Sequence, residues 1–143
     1  MHRRCFLGRT TAGLALIPLT RTLAAAQEQP IMPRELYDRD GSFSDIARSM
    51  AGQRVRLEGY MAPPLKAEAQ FFVLTQRPMA VCPFCETSAD WPDDILAVYT
   101  KRTVDPVYYT VELVAEGILV LDEYRDPETG FLSQARLEDA TYS

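Results

Sequence analysis

Histidine is all but missing from this 143-residue chain: the one copy, His2, stands beside the initiating methionine. Imidazole acid–base catalysis and triads built on it therefore have no candidate in the body of the sequence. The seven glycines stand singly, so there is no glycine-rich phosphate loop. Long apolar runs are absent too. Residues 10–23 are broken by Pro18 and Arg21, short of the about 20 apolar residues that a bilayer-spanning helix needs. Cysteine is scarce, with Cys5, Cys82 and Cys85 the full complement. There are no repeats and no low-complexity segments.

What is present begins with Arg3-Arg4-Cys5-Phe6-Leu7-Gly8, which resembles the twin-arginine export motif: paired guanidinium groups, then the apolar Phe6 and Leu7 leading into a modest apolar stretch. Ala24-Ala25-Ala26 offers the small side chains a signal peptidase accepts, so residues 1–26 read as a signal peptide and the mature chain starts near Gln27. The competing reading is a disordered basic tail. The first implies a periplasmic protein, and Cys5 and His2 leave with the signal. Four of the fifteen Lys and Arg and none of the twenty Asp and Glu lie in that segment, which leaves eleven cationic against twenty acidic groups, a formal charge of −9. Such a charge repels nucleic acid and anionic membranes and favours basic or cationic partners, although plain solubility is its simplest meaning. No nucleic-acid partner and no membrane span of the mature chain are expected. The remaining length suits one domain. Residues 27–40, with Pro30 and Pro33, read as an extended spacer and residues 41–143 as that domain.

Its apolar pattern is mostly that of strands. Residues 42–52 are the exception: Ser42 or Ser44 can cap a short helix, Phe43, Ile46, Ala47 and Met50 recur on one face, and Gly52 can end it. From Arg54 the period becomes two, with Val55, Leu57, Gly59 and Met61 alternating with polar neighbours. Further strands are expected over residues 71–75, 95–100, 108–121 and 131–137, the last after a turn at residues 126–130. Gly117 marks a candidate bulge or bend that lets one strand serve two sides of a barrel. The fold class is mainly β: a small five-stranded, partly open, OB-like barrel with one short N-terminal capping helix. A compact two-sheet sandwich is the alternative. Residues 101–106 are too few for the usual helix between the third and fourth strands.

Gly59-Tyr60-Met61-Ala62-Pro63, after Gly52-Gln53-Arg54-Val55-Arg56-Leu57 and before Phe71-Phe72-Val73-Leu74, resembles a family of small exported bacterial proteins of unknown function that carry G-[FY]-M-x-P and a nearby F-x-L strand. The resemblance covers residues 40–142 and implies a barrel-like β domain with no assigned catalysis, in some cases associated with transport machinery. Where many of those proteins carry a cysteine followed by a histidine, this chain has Cys82-Pro83-Phe84-Cys85-Glu86, so a ligand role for that histidine does not carry over.

The Cys82/Cys85 pair admits three chemistries. In an oxidising compartment it suits a local disulfide, which closes too small a loop to remove much chain entropy and so mainly fixes conformation. Alternatively, two thiolates in a C-x-x-C turn can hold a soft ion such as Cu(I) or Zn(II), with Met79 or Met61 as a thioether ligand and Glu86, Asp90, Asp93 and Asp94 as nearby oxygen donors. Met79 and Met61 also suit a core, where methionine fills irregular gaps. The third chemistry is thiol–disulfide exchange, since the tetrad resembles that of glutaredoxin-like proteins. It needs a cysteine thiolate at a helix N-terminus, and here proline follows within two turns amid acidic residues. The expected protein is thus an exported binding or accessory protein, partnered with an envelope or transport complex, with a periplasmic oxidoreductase as the alternative.

Replacing Arg3 and Arg4 by lysine should leave unprocessed precursor in the cytoplasm, because lysine keeps the charge and loses the planar guanidinium. Fractionation and immunoblotting of the double variant check this, and normal processing would assign the general secretion route.

Overall fold

Strict alternation makes the first barrel strand, β1 (Arg54–Met61), in which Val55, Leu57, Gly59 and Met61 are buried and the residues between them face outward. The computed structural model describes residues 29–81 and 91–143. Four more strands join β1: β2 (Phe71–Thr75), β3 (Ile95–Thr100), β4 (Glu112–Val120) and, after a small hairpin of β5 (Tyr124–Arg125) and β6 (Leu132–Ser133), β7 (Arg136–Tyr142). They hydrogen-bond in the closed order β1-β2-β3-β7-β4. Only β3 and β7 run parallel. This is the expected mainly β, five-stranded barrel with one short capping helix.

The seams are unequal. β1 pairs with β4 from Arg54 to Tyr60, but with β2 only through Tyr60 opposite Thr75 and Met61 opposite Leu74. This short seam is also tight: at Gly59 a Cβ would stand 2.6 Å from the Thr75 carbonyl oxygen. The expected irregularity at Gly117 is present, but the extra residue belongs to the opposite strand. Glu116 faces Thr141 and Ile118 faces Glu138, so β7 spends two residues where β4 spends one. Asp139 takes the strain with φ 53, a left-handed conformation that aspartate tolerates better than most residues. Gly117 leaves room for this, since a Cβ there would lie 2.9 Å from the Glu138 carbonyl oxygen.

Two apolar layers result. Inside the barrel lie Leu57, Met61, Phe72, Leu74, Leu96, Val98, Leu119 and Leu137. On the outer face of β2 and β3, Phe71, Val73, Ile95 and Ala97 are covered by Phe131 from the β5–β6 hairpin. Burial on both faces explains why β2 is apolar at four successive positions. It also splits the expected return strand: residues 131–133 cover the outer face, and β7 enters the barrel only at Arg136. Between β5 and β6 the Asp126 carboxylate accepts from the Glu128 and Thr129 amides at 3.1 and 2.8 Å and from the Thr129 hydroxyl at 2.7 Å, which shapes the turn. β4 begins later than expected because residues 108–111 form a turn, closed by the Val111 amide on the Tyr108 carbonyl at 2.8 Å.

The residues read as a spacer contribute to the core. Ile31 pairs beside β1 through its amide to Arg56 O and its carbonyl to Glu58 N, and the 3-10 turn Pro33–Leu36 buries Leu36 completely. The helix α1 (Asp45–Met50) is capped by Ser44, whose hydroxyl accepts from the Ala47 amide at 3.1 Å and donates to Glu35 O at 2.7 Å. Ala47 and Met50 face the core, while Ile46 is 52% exposed, so the apolar stripe is narrower than the spacing suggests. The Gly52 amide bonds to Leu119 O, placing the helix end against the end of β4. Among the described residues no helix is long and apolar enough to cross a membrane.

Gly59→Ala should destabilise the protein by about 1–3 kcal/mol, the cost of forcing extra volume into a packed seam. Urea unfolding measures it, and an unchanged midpoint would show that β1 and β2 do not need this close approach.

Candidate functional site

The cysteine pair belongs to the connection between β2 and β3, and that connection leaves the barrel from a braced base. Thr75 opposite Ile95 is the last rung of the β2–β3 ladder. The Gln76 amide extends the ladder by bonding to Asp94 O at 3.1 Å. One residue further on, the Arg77 guanidinium meets the Asp94 carboxylate at 3.0 Å, with the aspartate side chain 11% exposed. Arg34, in the 3-10 turn, holds Asp93 at 3.1 Å. Asp93 and Asp94, oxygen donors by sequence, are thus engaged by arginines.

A hydrogen-bond relay braces the returning side. The Trp91 indole N–H donates to the Tyr37 hydroxyl at 2.8 Å, which in turn donates to Ile95 O at 3.0 Å. Burial raises the Tyr37 phenol well above the ordinary range, against the lowering effect of the Trp91 bond, with Asp93 and Asp94 adding to the rise. The hydroxyl therefore stays protonated and remains a donor around neutral pH. Trp91 also packs toward Phe131, ring centroids 6.0 Å apart, so one side chain joins the N-terminal segment, the connection and the outer hairpin.

Of the residues singled out by sequence, Cys82 and Cys85 lie outside the described residues, as do Glu86, Asp90 and the signal residues Arg3, Arg4, Phe6 and Leu7. Met79 lies half-buried beyond the braced base. Met61 does not join it. It is fully buried inside the barrel, and its sulfur accepts the Val107 amide at 3.3 Å. A different methionine stands at the base: Met32, 43% exposed, has its sulfur 3.8 Å from the Gln76 side-chain nitrogen. Its position depends on the pairing of Ile31 with β1, which sequence spacing does not reveal. The Gln76 side-chain oxygen is buried without a partner among the described residues, a cost of about 1–3 kcal/mol unless a donor reaches it. No group of three or more His, Cys, Asp or Glu among the described residues is placed to hold a metal ion.

No protein-family model and no curated protein matches the chain. One solved structure is similar to it, the crystal structure of a DUF3299 family protein (PA4066) from Pseudomonas aeruginosa PAO1. The two are 15% identical, with a TM-score of 0.47, over 78% of this chain and 73% of that one. That neighbour is itself from a family of unknown function, and a likeness of this size carries nothing about chemistry.

Tyr37→Phe should cost about 1–3 kcal/mol, since it leaves the Ile95 carbonyl and the indole N–H without their partner. It should also speed protease cleavage between Val81 and Trp91. Mass mapping of a limited digest tests this, and an unchanged cleavage rate would show that the relay does not hold the connection.

Proposed function

We propose that this protein is an exported, non-enzymatic binding or accessory protein of an envelope or transport complex, acting through Cys82-Pro83-Phe84-Cys85. The observation that supports it is the base of the β2–β3 connection. The Arg77–Asp94 and Arg34–Asp93 pairs and the Trp91–Tyr37–Ile95 relay fix both ends of the segment bearing the two thiols. Rigid ends reduce the entropy lost when two sulfurs are brought onto one ion or into one bond. Two outcomes fit this arrangement, a soft ion, Cu(I) or Zn(II), on the two thiolates with Met79 as a further ligand, or a local disulfide.

Thiol–disulfide exchange fits the fold less well. The parallel βαβ alternation of thioredoxin-like enzymes is absent from the described strands.

Reduced mature protein should take up one Cu(I) or Zn(II) per chain or per dimer, and Cys82→Ser should abolish uptake without unfolding the domain. Metal titration read by mass spectrometry, beside alkylation with and without reductant, separates the cases. Uptake no tighter than in the double-serine variant removes the metal and leaves the disulfide. A Cys82 or Cys85 pKa below about 7 with turnover of a disulfide substrate would instead make the protein an oxidoreductase.

A further inference from the structure

A cleft unrelated to the cysteines opens on the outer face of the barrel, with a volume of about 510 Å³. That is within the range of roughly 300–1,000 Å³ typical of small-molecule sites. Its floor is aromatic: Phe71 and Tyr99, partners across β2 and β3, stack with centroids 5.0 Å apart, and Tyr124 meets Tyr99 edge-on at 5.5 Å. One wall is residues 66–70 of the β1–β2 connection, and the other is the turn of the β5–β6 hairpin at residues 126–129.

The charge on those walls is one-sided. Glu68, Asp126 and Glu128 line the cleft against a single cation, Lys66. Glu68 has no ion pair or hydrogen bond among the described residues, and Asp126 is committed to shaping its turn. Lys66 reaches across to Glu128 only loosely, 3.9 Å from its carboxylate and 3.4 Å from its carbonyl oxygen, with both side chains at least half exposed. The protein's own ammonium thus rests between the walls in a contact weak enough to exchange. The aromatic floor also accepts cations: the Arg136 guanidinium carbon lies 4.7 Å from the Tyr124 ring centroid. Beside the cleft the Tyr99 hydroxyl is shielded from solvent and has no partner among the described residues.

We propose that this cleft binds a small organic cation, a guanidinium or primary amine on an aliphatic stem. The stem lies along the half-buried Tyr99, which the buried Phe71 backs, and the charged end takes the place of Lys66 beside Glu128, with Glu68 supplying a second carboxylate. Carboxylates supply the charge and aromatic faces the contact area, and neither is suited to an anion. The same chemistry comes from a free amine or from an arginine or lysine of another protein. It needs neither cysteine.

Calorimetric titration of the purified full chain tests this with agmatine as the free cation, a blocked arginine tripeptide as the side-chain source and diacetylchitobiose as an uncharged ligand that can stack and hydrogen-bond. Both cations should bind saturably and the neutral sugar should not, with the tighter cation marking the source. Glu68→Gln with Glu128→Gln should weaken binding by about tenfold, the scale of two partly exposed charge pairs. Should the double variant fold poorly, Glu68→Gln alone, at an exposed position, should still weaken binding measurably. Cys82→Ser should leave it unchanged. Binding of the sugar as tight as that of the cations, cation binding unaffected by the glutamine variants, or no saturation by either cation would overturn the proposal.

Discussion

The barrel depends on the approach of two backbones at Gly59. β1 is paired along one edge with β4 from Arg54 to Tyr60, whereas its other edge meets β2 at only Tyr60 and Met61, so the ring closes over a short seam beside Gly59. With the Thr75 carbonyl 2.6 Å from where a Cβ would stand, any side chain would push the seam apart. The consequences spread along the chain. Thr75 is both the rung that closes β1 on β2 and the last residue before the cysteine-bearing connection. One residue therefore serves both the closure of the ring and the base of that connection, and the other irregular seam, at Asp139, lies between β4 and β7.

Charge is used as fastening between elements. Asp93 and Asp94 bind Arg34 and Arg77, and Asp139 binds both Arg54 and Lys101 at 2.7 Å. Arg136 joins Asp122 and Glu138 from a position 8% exposed. Exposed pairs of this kind each contribute little, about 0–1 kcal/mol. Arg136 differs, because a buried guanidinium stripped of its carboxylates is costly. It also stacks on Tyr124, so it holds the outer hairpin to the barrel.

The elements are legible in the sequence where the apolar pattern is local, one-sided in β1 and α1 and continuous in β2 and β3, which are covered on both faces. β1 shows its period of two and α1 its Ser44 cap, and β2 and β3 stand out as compact apolar runs. Legibility fails where tertiary contact overrides local pattern. Pro30 and Pro33 mark residues 27–40 as extended, yet Ile31, Leu36 and Tyr37 are core residues because the barrel end needs covering. Ile46 has helical spacing but finds no surface to meet. At the site the same division holds. C-P-F-C is visible as a motif, whereas its supports, Tyr37 and Met32, come from a segment some 50 residues earlier in the chain. Met61 reads from sequence as core ahead of ligand, and its complete burial inside the barrel agrees.

The parallel pairing of β3 with β7 bears on how the molecule assembles. β7 is the last barrel strand in sequence order, and it lies between β3 and β4. Until it arrives, both of those strands present unpaired edges, and neither can seal against the other. Without β7 the sheet would be open, with two edges of unpaired backbone N–H and C=O groups, a template for pairing with other chains. Folding of this barrel is dominated by contacts distant in sequence, the slow class of topology. The strand that completes the ring is thus also the one that removes both of its open edges.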